Sequence, residues 1–482
     1  MTVTFRRTLV LLTTTALLAA CTVGPNYVRP SVATPPAYKE AEGWVRAQPA
    51  DATPRGDWWS VFNDPVLDQL ERQVEISNQN LAAAEAAYRQ ARGSVAEQRA
   101  ALFPTVGLTG SAQRSDRGGG AIVTPPSGGA GGVVPTTGSR VSNSFQLGAD
   151  ASWEPDLWGK IRRTVQAAGA QAQASQADLA NARLSAQSEL ALDYISLRAD
   201  DELKRLIDLT VDGYQRSLTI TTNQYNAGLT AKSDMLTAQS QLAGARAQSA
   251  DLERQRALME HAIAVLTGQP PANLTIAPAT WTLNTPDVPP SVPSLLLQRR
   301  PDVAAAERRV AAANAQIGIQ VAAYFPSLTL SGQGGVASSS LSSLFASSAT
   351  FWSLGANVAE TLIDFGARHA RVAEAKAAYD QAVAQYRQTT LSAFQEVEDA
   401  LAAERVLGEE LPLRMAASQA ADQAEQIALN QYRAGTTVYT TVVVAQANAL
   451  SARQTLLNLE SSRITAAVQL VTALGGGWAG RP

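Results

Sequence analysis

The sequence predicts a mainly α-helical protein with a small β part, built twice from one unit. Three observations predict it. First, the chain repeats itself. Leu81-Ala82-Ala83-Ala84-Glu85 leads to Phe103-Pro104-Thr105-Val106-Gly107-Leu108-Thr109-Gly110. Val303-Ala304-Ala305-Ala306-Glu307 leads to Phe325-Pro326-Ser327-Leu328-Thr329-Leu330-Ser331-Gly332, at an offset of 222 (303 − 81). Further on, Asn223-Gln224-Tyr225-Asn226-Ala227-Gly228 returns as Asn430-Gln431-Tyr432-Arg433-Ala434-Gly435, at an offset of 207 (430 − 223). The first copy therefore carries 15 extra residues (222 − 207). A unit of about 200 residues is too long for a solenoid repeat and points to a pseudo-symmetric wall. Second, residues 156–225 hold no proline and residues 364–432 hold one, Pro412. Third, four short runs alternate apolar and polar residues.

Taken in chain order, residues 1–20 are expected to be a signal segment outside the fold. Arg6 and Arg7 give it a positive start, and residues 9–20 form an apolar stretch too short to span a bilayer. It ends Leu18-Ala19-Ala20-Cys21, the bacterial lipobox pattern, in which the cysteine is lipidated and becomes the mature N-terminus. Cys21 is the only cysteine in 482 residues, so no disulfide framework exists. Thr22 follows; an aspartate there favours inner-membrane retention, so Thr22 points to the outer membrane. Net charge is −3 and the pI about 5.7, which makes nucleic acid an unsuitable partner. No later apolar run reaches the ~20 residues a membrane helix needs.

The β part comes next. In residues 104–113, Val106, Leu108 and Ala112 alternate with Thr, Gly and Ser; in residues 145–153, Phe145, Leu147, Ala149, Ala151 and Trp153 alternate with Gln146, Asp150 and Ser152. The second copy repeats this with Leu328, Leu330 and Val336, then with Trp352, Leu354, Ala356 and Val358. Runs of about 9–11 residues suit tilted membrane-crossing strands. The same pattern also fits an amphipathic hairpin on a soluble core. Aromatic placement favours the membrane. Phe103, Trp153, Trp158, Phe325 and Phe365 fall where strands meet helices, with Phe351 and Trp352 at the opposite end, as in the two girdles of a barrel. The Gly/Pro/Ser-rich residues 117–140 read as an exposed, mobile loop, and the 15 extra residues sit there. Four strands cannot close a barrel, and an open edge cannot face lipid. Chains must assemble: two would give eight strands with a filled interior, three would give twelve around a pore.

After each strand pair comes a helical stretch of about 70 residues, rich in Ala, Gln, Leu, Glu and Arg and about 105 Å long at 1.5 Å per residue. Each ends at a glycine, Gly228 or Gly435, suited to the left-handed conformation that stops a helix. Return helices over residues 231–267 and 438–474 follow. A helix over residues 66–102 is about as long as one return helix. Each copy is thus expected to be a hairpin with one continuous leg and one leg of two stacked segments. Between those segments, Pro270, Pro271, Pro278, Pro286, Pro289, Pro290 and Pro293 mark a belt around the helices.

These residues resemble a known family. Cys21-Thr22-Val23-Gly24-Pro25-Asn26-Tyr27-Val28-Arg29-Pro30, Trp58-Trp59, Phe62-Asn63-Asp64-Pro65 and Arg299-Arg300-Pro301-Asp302 are similar to motifs of the outer-membrane lipoproteins of tripartite efflux pumps, the NodT/OprM branch of the TolC-like channels. Tyr225-Asn226-Ala227-Gly228-Leu229 and Tyr432-Arg433-Ala434-Gly435-Thr436 resemble that family's tip motifs. The resemblance covers nearly the whole chain after residue 20. It implies a TolC-like fold: a homotrimer with a twelve-stranded outer-membrane barrel on a long periplasmic α-helical barrel. It further implies a passive exit duct for small molecules, working with a periplasmic adaptor and an inner-membrane RND transporter. On this reading Tyr225, Ala227, Gly228, Leu229, Asp234, Tyr432, Ala434, Gly435 and Thr436 belong to the periplasmic tip and its adaptor contact. Asp234, Tyr432, Tyr439 and Val443 are the gate candidates. Some relatives carry Arg where Thr437 stands and Asp where Thr441 and Val444 stand; here closure would rest on hydrogen bonds and on aromatic and apolar packing.

The implied organisation is a signal peptide at 1–20, an N-terminal equatorial segment at 21–65, a first repeat at 66–268, a Pro-rich equatorial connector at 269–300, a second repeat at 301–475 and a tail at 476–482. Two other functions share parts of this pattern: a TolC-like exit channel for type I protein secretion, and a non-channel lipoprotein scaffold. The lipobox and the Val-Gly-Pro-Asn-Tyr start favour an efflux channel. No enzyme is expected. His261 and His369 lie in helices without partners at metal-ligand spacing. The Gly-rich loop lacks a Gly-Lys-Ser/Thr ending. Glu396, Glu398 and Asp399 read as a solvated helix face or inter-helix pairs. The expectation is therefore no catalytic residue, no metal and no cofactor beyond a covalent lipid at Cys21.

Overall fold

Turn chemistry and helix caps divide the chain so that one order, helix, two strands, long helix and return helix, occurs twice. The computed structural model describes residues 22–35, 38–40, 57–117, 140–280 and 300–476. Helices α1 (Pro65–Ser77) and α2 (Gln79–Ala100) lead to strands β1 (Thr105–Arg117) and β2 (Arg140–Trp153), long helix α3 (Lys160–Asn226) and return helix α4 (Lys232–Leu266). Helix α5 (Pro301–Ala322) opens the second copy, followed by β3 (Ser327–Ser338), β4 (Thr350–Ala359), long helix α6 (Ala367–Arg433) and return helix α7 (Tyr439–Ala473). The signal segment, Cys21, loop residues 118–139, connector residues 281–299 and tail residues 477–482 lie outside the described residues.

Two features depart from the expectation, and a third, the helix running through Pro412, follows it. The helix expected over 66–102 is two helices, because Asn78 leaves the helical region (ψ 121°). Its side chain accepts from the backbone N–H groups of Asn80 (2.9 Å) and Leu81 (3.1 Å), which caps α2. The first hairpin has strands of 13 and 14 residues, beyond the expected 9–11; pairing continues through the hydroxyl contact of Ser115 and Ser142 at 3.0 Å. Pro412 sits inside α6 without ending it. The carbonyl that loses its donor belongs to Gly408, and Pro412 lies on an exposed face of the helix, where solvent can replace the bond.

The chain falls into two units. The first comprises residues 1–28, 92–170 and 311–380. It holds one antiparallel sheet in the order β1-β2-β3-β4. The register explains the alternation in the sequence. Leu108 pairs with Ala149, Ala149 with Gly334 and Gly334 with Trp352. Paired residues share a face, so Val106, Leu108, Leu147, Trp153, Leu330, Leu354 and Val358 all lie on one side. Thr105, Thr109, Gln146, Asp150, Ser331, Gln333 and Asn357 lie on the other. The apolar face is not covered by the chain itself, and Leu354 is 80% exposed.

In the same unit the residues after Cys21 are held on the start of α3. Val23 N–H donates to the Trp158 carbonyl (3.1 Å). The buried Arg163 guanidinium donates to the carbonyls of Val23 (3.2 Å) and Gly24 (3.1 Å) and to Asn26 Oδ1 (3.0 Å). Gly24, at φ 90°, lies so close to Gly318 that a Cβ would come within 2.5 Å of the Gly318 Cα. The Val-Gly-Pro-Asn start therefore serves as a seat for backbone and one arginine.

The second unit comprises residues 29–91, 171–310 and 381–482. Its main core joins Trp58, Trp59, Phe62, Leu67, Leu70 and Val74 to Leu190, Tyr194, Ile195, Ile263 and Ile464. Asn63 takes the left-handed conformation (φ 52°). Asp64 caps α1 through the N–H groups of Val66 (2.8 Å) and Leu67 (3.2 Å), and Pro65 occupies the first helical position. Asp64 also accepts from Tyr194 (2.6 Å), whose hydroxyl accepts from Arg198 (2.9 Å). Arg198 reaches the Ala277 carbonyl (2.8 Å), tying the start of the Pro-rich connector to α3. Glu398 accepts the backbone N–H groups of Lys39 (2.8 Å) and Glu40 (3.1 Å), and Glu396 pairs with Arg300. These two carboxylates thus hold structure and do not merely solvate a face.

Candidate functional site: the two hairpin turns

The long and return helices meet in two turns with one geometry. In the first, Ala227 N–H donates to the Asn223 carbonyl (3.0 Å), Gly228 to Tyr225 (2.9 Å) and Leu229 to Gln224 (2.8 Å). In the second, Ala434 donates to Asn430 (3.0 Å), Gly435 to Tyr432 (3.0 Å) and Thr436 to Gln431 (2.9 Å). Each bond lies 207 residues after its counterpart. This is the Schellman ending, in which a left-handed residue lets the last carbonyls of a helix find donors. Gly228 and Gly435 both stand at φ 71°. Neither return helix has a side-chain cap, since Ala231 and Val438 hold that position.

A side-chain brace replaces the cap in each turn. The Thr230 hydroxyl donates to the Asp234 carboxylate at 2.5 Å. At the positions 207 further on, the Thr437 hydroxyl donates to that of Thr441 at 3.2 Å. The uncharged Thr437 and Thr441 therefore make the same local contact as Thr230 and Asp234. Among the described residues Asp234 forms no ion pair within 4.0 Å. Val444 is exposed, and Val443 is half-buried.

Between the hairpins lies a small core of Ala238, Ala428, Tyr432, Tyr439 and Val442, with Leu218, Leu429 and Val443 packed against it. Tyr432 and Tyr439 are 7% and 2% exposed. Their ring centroids are 5.3 Å apart at 54°. The Tyr432 hydroxyl donates to Gln224 of α3, and the Tyr439 hydroxyl donates to Gln241 of α4 (3.2 Å). Each tyrosine therefore ties the second hairpin to the first. Burial pushes the Tyr439 phenol up to about 12, with help from neighbouring Tyr432. Burial, and then the Asp234 carboxylate, raise that of Tyr432 as well. Both stay protonated donors at any physiological pH.

The sequence singled out Asp234, Tyr432, Tyr439 and Val443, and the structure gathers them around one joint. Tyr225, the counterpart of Tyr432, stays 37% exposed, and Leu229 is exposed beside it. Gln224, Gln241 and Thr230 escaped notice. Gln224 had a signal, since it stands in the repeated Asn-Gln-Tyr; Gln241 and Thr230 had none. Farther along, a cavity of about 470 Å³ between α3, α6 and α7 is lined by Tyr214, Arg216, Glu425, Arg433, Gln446 and Arg453. Arg453 pairs with Asp422 (2.7 Å) and Glu425 (2.8 Å). His261 and His369 lie on exposed helix faces. Among the described residues no three His, Cys, Asp or Glu side chains gather as a metal site, and no helix is long and apolar enough to cross a membrane.

Comparison with known proteins matches this arrangement closely. The outer membrane efflux protein family model matches residues 70–269 and 292–476. The toluene efflux pump outer membrane protein TtgC of Pseudomonas putida is 30% identical over 467 residues, covering 96% of this chain and 94% of that protein. The pyoverdine export outer membrane protein OpmQ of Pseudomonas aeruginosa is 29% identical over 473 residues, covering 98% and 97%. Among solved structures, the outer-membrane channel OprN superposes with a TM-score of 0.84 at 32% identity, covering 95% of this chain and all of that one.

Proposed function

This chain belongs to the outer membrane efflux protein family, and we propose that three copies of it close their sheets into one twelve-stranded barrel. The protein is the outer-membrane channel of an efflux pump, with a large periplasmic helical part. The family role is conduction, not catalysis. One observation carries the trimer. The four-stranded sheet has two free edges, one apolar face left uncovered and one polar face. Lipid outside and water inside would cover both faces, and only closure removes the edges. Eight strands would enclose side chains; twelve leave a pore.

The partners are a periplasmic adaptor and an inner-membrane RND transporter. Tyr225, Ala227, Gly228, Leu229, Asp234, Tyr432, Ala434, Gly435 and Thr436 form the adaptor-facing tip. The exposed side chains of Tyr225 and Leu229 support this, since they leave apolar surface at the turn for a partner. Asp234, Tyr432, Tyr439 and Val443 set the closed state, with the hydrogen bonds to Gln224 and Gln241 as the ties to be loosened. Cys21 carries a lipid, and the ordered seat of residues 22–26 beside Trp158 supports an anchor held at the aromatic rim. The cargo is small molecules. TtgC and OpmQ are about equally identical to this chain yet are named for toluene and for pyoverdine, so overall identity does not select between such cargoes.

Planar-bilayer recording of purified protein tests the reading. Discrete conductance steps from a particle of three chains are expected. A soluble monomer without conductance overturns it.

A further inference from the structure

The two offsets of the sequence repeat also carry strand register. Gly110 pairs with Leu147 in the first hairpin and Gly332 with Leu354 in the second. The first partners differ by 222 and the second by 207. The same holds along both hairpins: Gly107 with Asp150 becomes Thr329 with Asn357. One pairing remains, that of β2 with β3, where the first copy meets the second. There Ala151 faces Gly332 and Ala149 faces Gly334. Where those strands meet the helices, Trp158 stacks on Phe325 with centroids 4.8 Å apart at 24°.

Moved by its own offset, each side of that junction lands on a free edge of the sheet. Ala151 becomes Val358 of β4, and Gly332 becomes Gly110 of β1. Ala149 becomes Ala356, and Gly334 becomes Ala112. Trp158 becomes Phe365, and Phe325 becomes Phe103. Within one chain these residues stand at opposite edges. Their state is that of half an interface. Phe365 is 99% exposed and takes a left-handed backbone at φ 51°, while Phe103 is 68% exposed. A bulky residue rarely adopts that conformation without a reason, and an aromatic ring in water gains from being covered.

We propose that β4 pairs with β1 of a neighbouring copy in the register of β2 with β3. Val358 then faces Gly110 of the neighbour, Ala356 faces Ala112, and Phe365 stacks on Phe103. This rests on the trimer reading and goes beyond it by fixing which residues meet. The apolar pattern supports the same register independently. It keeps Val358 and Ala356 on one face with the neighbour's Gly110 and Ala112, whereas a slip of one residue would turn Thr109 and Ser111 to that face. The occupant is a second copy of this chain, because each edge residue is the repeat counterpart of one already joined to the other's counterpart.

Engineered disulfides test the register on the full chain, purified in detergent and oxidised with copper phenanthroline. Gly110→Cys/Val358→Cys and Ala112→Cys/Ala356→Cys should give covalent trimers at least about ten times faster than the slipped pair Ala112→Cys/Val358→Cys, because a disulfide needs Cα atoms within about 7 Å. Each single substitution, in the presence of the native Cys21, is the control. The mass of the unoxidised particle is measured in parallel. A three-chain particle whose slipped pair cross-links faster overturns the register and leaves the trimer standing. A one-chain particle overturns both. For the stack, Phe103→Ala and Phe365→Ala should each lower the temperature at which the trimer dissociates, and the double variant should lose no more than the worse single. Additive losses overturn the stack.

Discussion

Asn78 and Arg300 do the same work in the two halves of the molecule, though they share no chemistry. Asn78 Nδ2 donates to the carbonyl of Leu266 (2.8 Å), and Arg300 Nη1 donates to that of Ala473 (3.2 Å). The donors are 222 residues apart and the acceptors 207, the two offsets of the repeat. Each donor stands at the start of a 22-residue helix and reaches the C-terminal carbonyl of a 35-residue return helix. Helix C-termini leave carbonyls without partners and carry partial negative charge. An amide or a guanidinium placed there joins two helices end to end into one leg. Arg300 adds more, because it also binds Asp302 and Glu396.

Removing these donors should loosen the joints unequally. Asn78→Ala deletes the α2 cap and the Leu266 bond and should cost about 1–2 kcal/mol. Arg300→Ala should cost more, because it leaves Asp302 and Glu396 without their cation. Thermal unfolding in detergent measures both. Equal losses, or a milder effect at Arg300, would contradict the comparison.

The stacked leg was legible in the sequence; its joint was not. Helix lengths followed from the spacing of Gly228, Gly435 and the prolines, and α3, α4, α6 and α7 end within a few residues of expectation. The break at Asn78 was invisible to periodicity, because no proline or glycine marks it and the apolar pattern runs through. Only the repeat offset held a signal for it, one that the expected helix over 66–102 did not use: Asn78 maps onto Arg300, just before a helix that opens with Pro301. The tip tyrosines were named from resemblance alone. Their glutamine partners sit on other helices, and such long-range pairs leave no local pattern.

Glu71 should make stability depend on pH. It is fully buried in α1, and neither carboxylate oxygen has a hydrogen-bond partner among the described residues. Burial, then the charges of Glu75 and Asp68 on the same helix, push its carboxyl up to about 9. Glu75 itself is engaged by Arg183 (3.8 Å) and Gln187 (3.3 Å) of α3. A raised folded pKa means that the unfolded chain releases the proton first. The contribution of Glu71 is therefore most favourable below about 4.5 and is lost as pH rises toward 9, by on the order of 3 kcal/mol at pH 7. Glu71→Gln should flatten that loss, so its thermal midpoint should gain on the parent between pH 5 and pH 9. Parallel pH profiles would rule this out.

Two glycines in the left-handed region should respond differently to alanine. At Gly268 (φ 70°) a Cβ would come within 2.1 Å of the Ser77 carbonyl oxygen, whereas at Gly228 (φ 71°) it would meet nothing within 4 Å. Gly228→Ala then carries only the backbone cost, about 1–2 kcal/mol. Gly268→Ala must also move the end of α1 and should fail to yield folded channel. If both variants fold with similar midpoints, the close approach at Ser77 is not a constraint. Because the space around Gly228 and Gly435 is open, a large residue there should spare the fold beyond that same cost. Lost efflux in such a variant then reports on docking.

The joint between the hairpins should act as a latch with measurable coupling. Tyr432 binds Gln224 across the two long helices, and its ring is covered by the small core around Tyr439. Tyr432→Phe removes the hydroxyl and leaves the ring, so the core stays filled while Gln224 loses its donor. A buried hydrogen bond contributes about 0.5–1.5 kcal/mol net, and an unpaired buried partner costs more. In a double-mutant cycle with Gln224→Ala, the two changes should be less than additive by about that amount. If the bond holds the tip closed, Tyr432→Phe should also raise the bilayer conductance of the purified channel. The phenol is raised above its ordinary value of 10.0, so the hydroxyl remains a donor throughout pH 5–9. The difference between variant and parent should therefore be constant across that range. A difference that vanishes as pH is varied between 5 and 9 would assign the latch to another titrating group and remove Tyr432 from it.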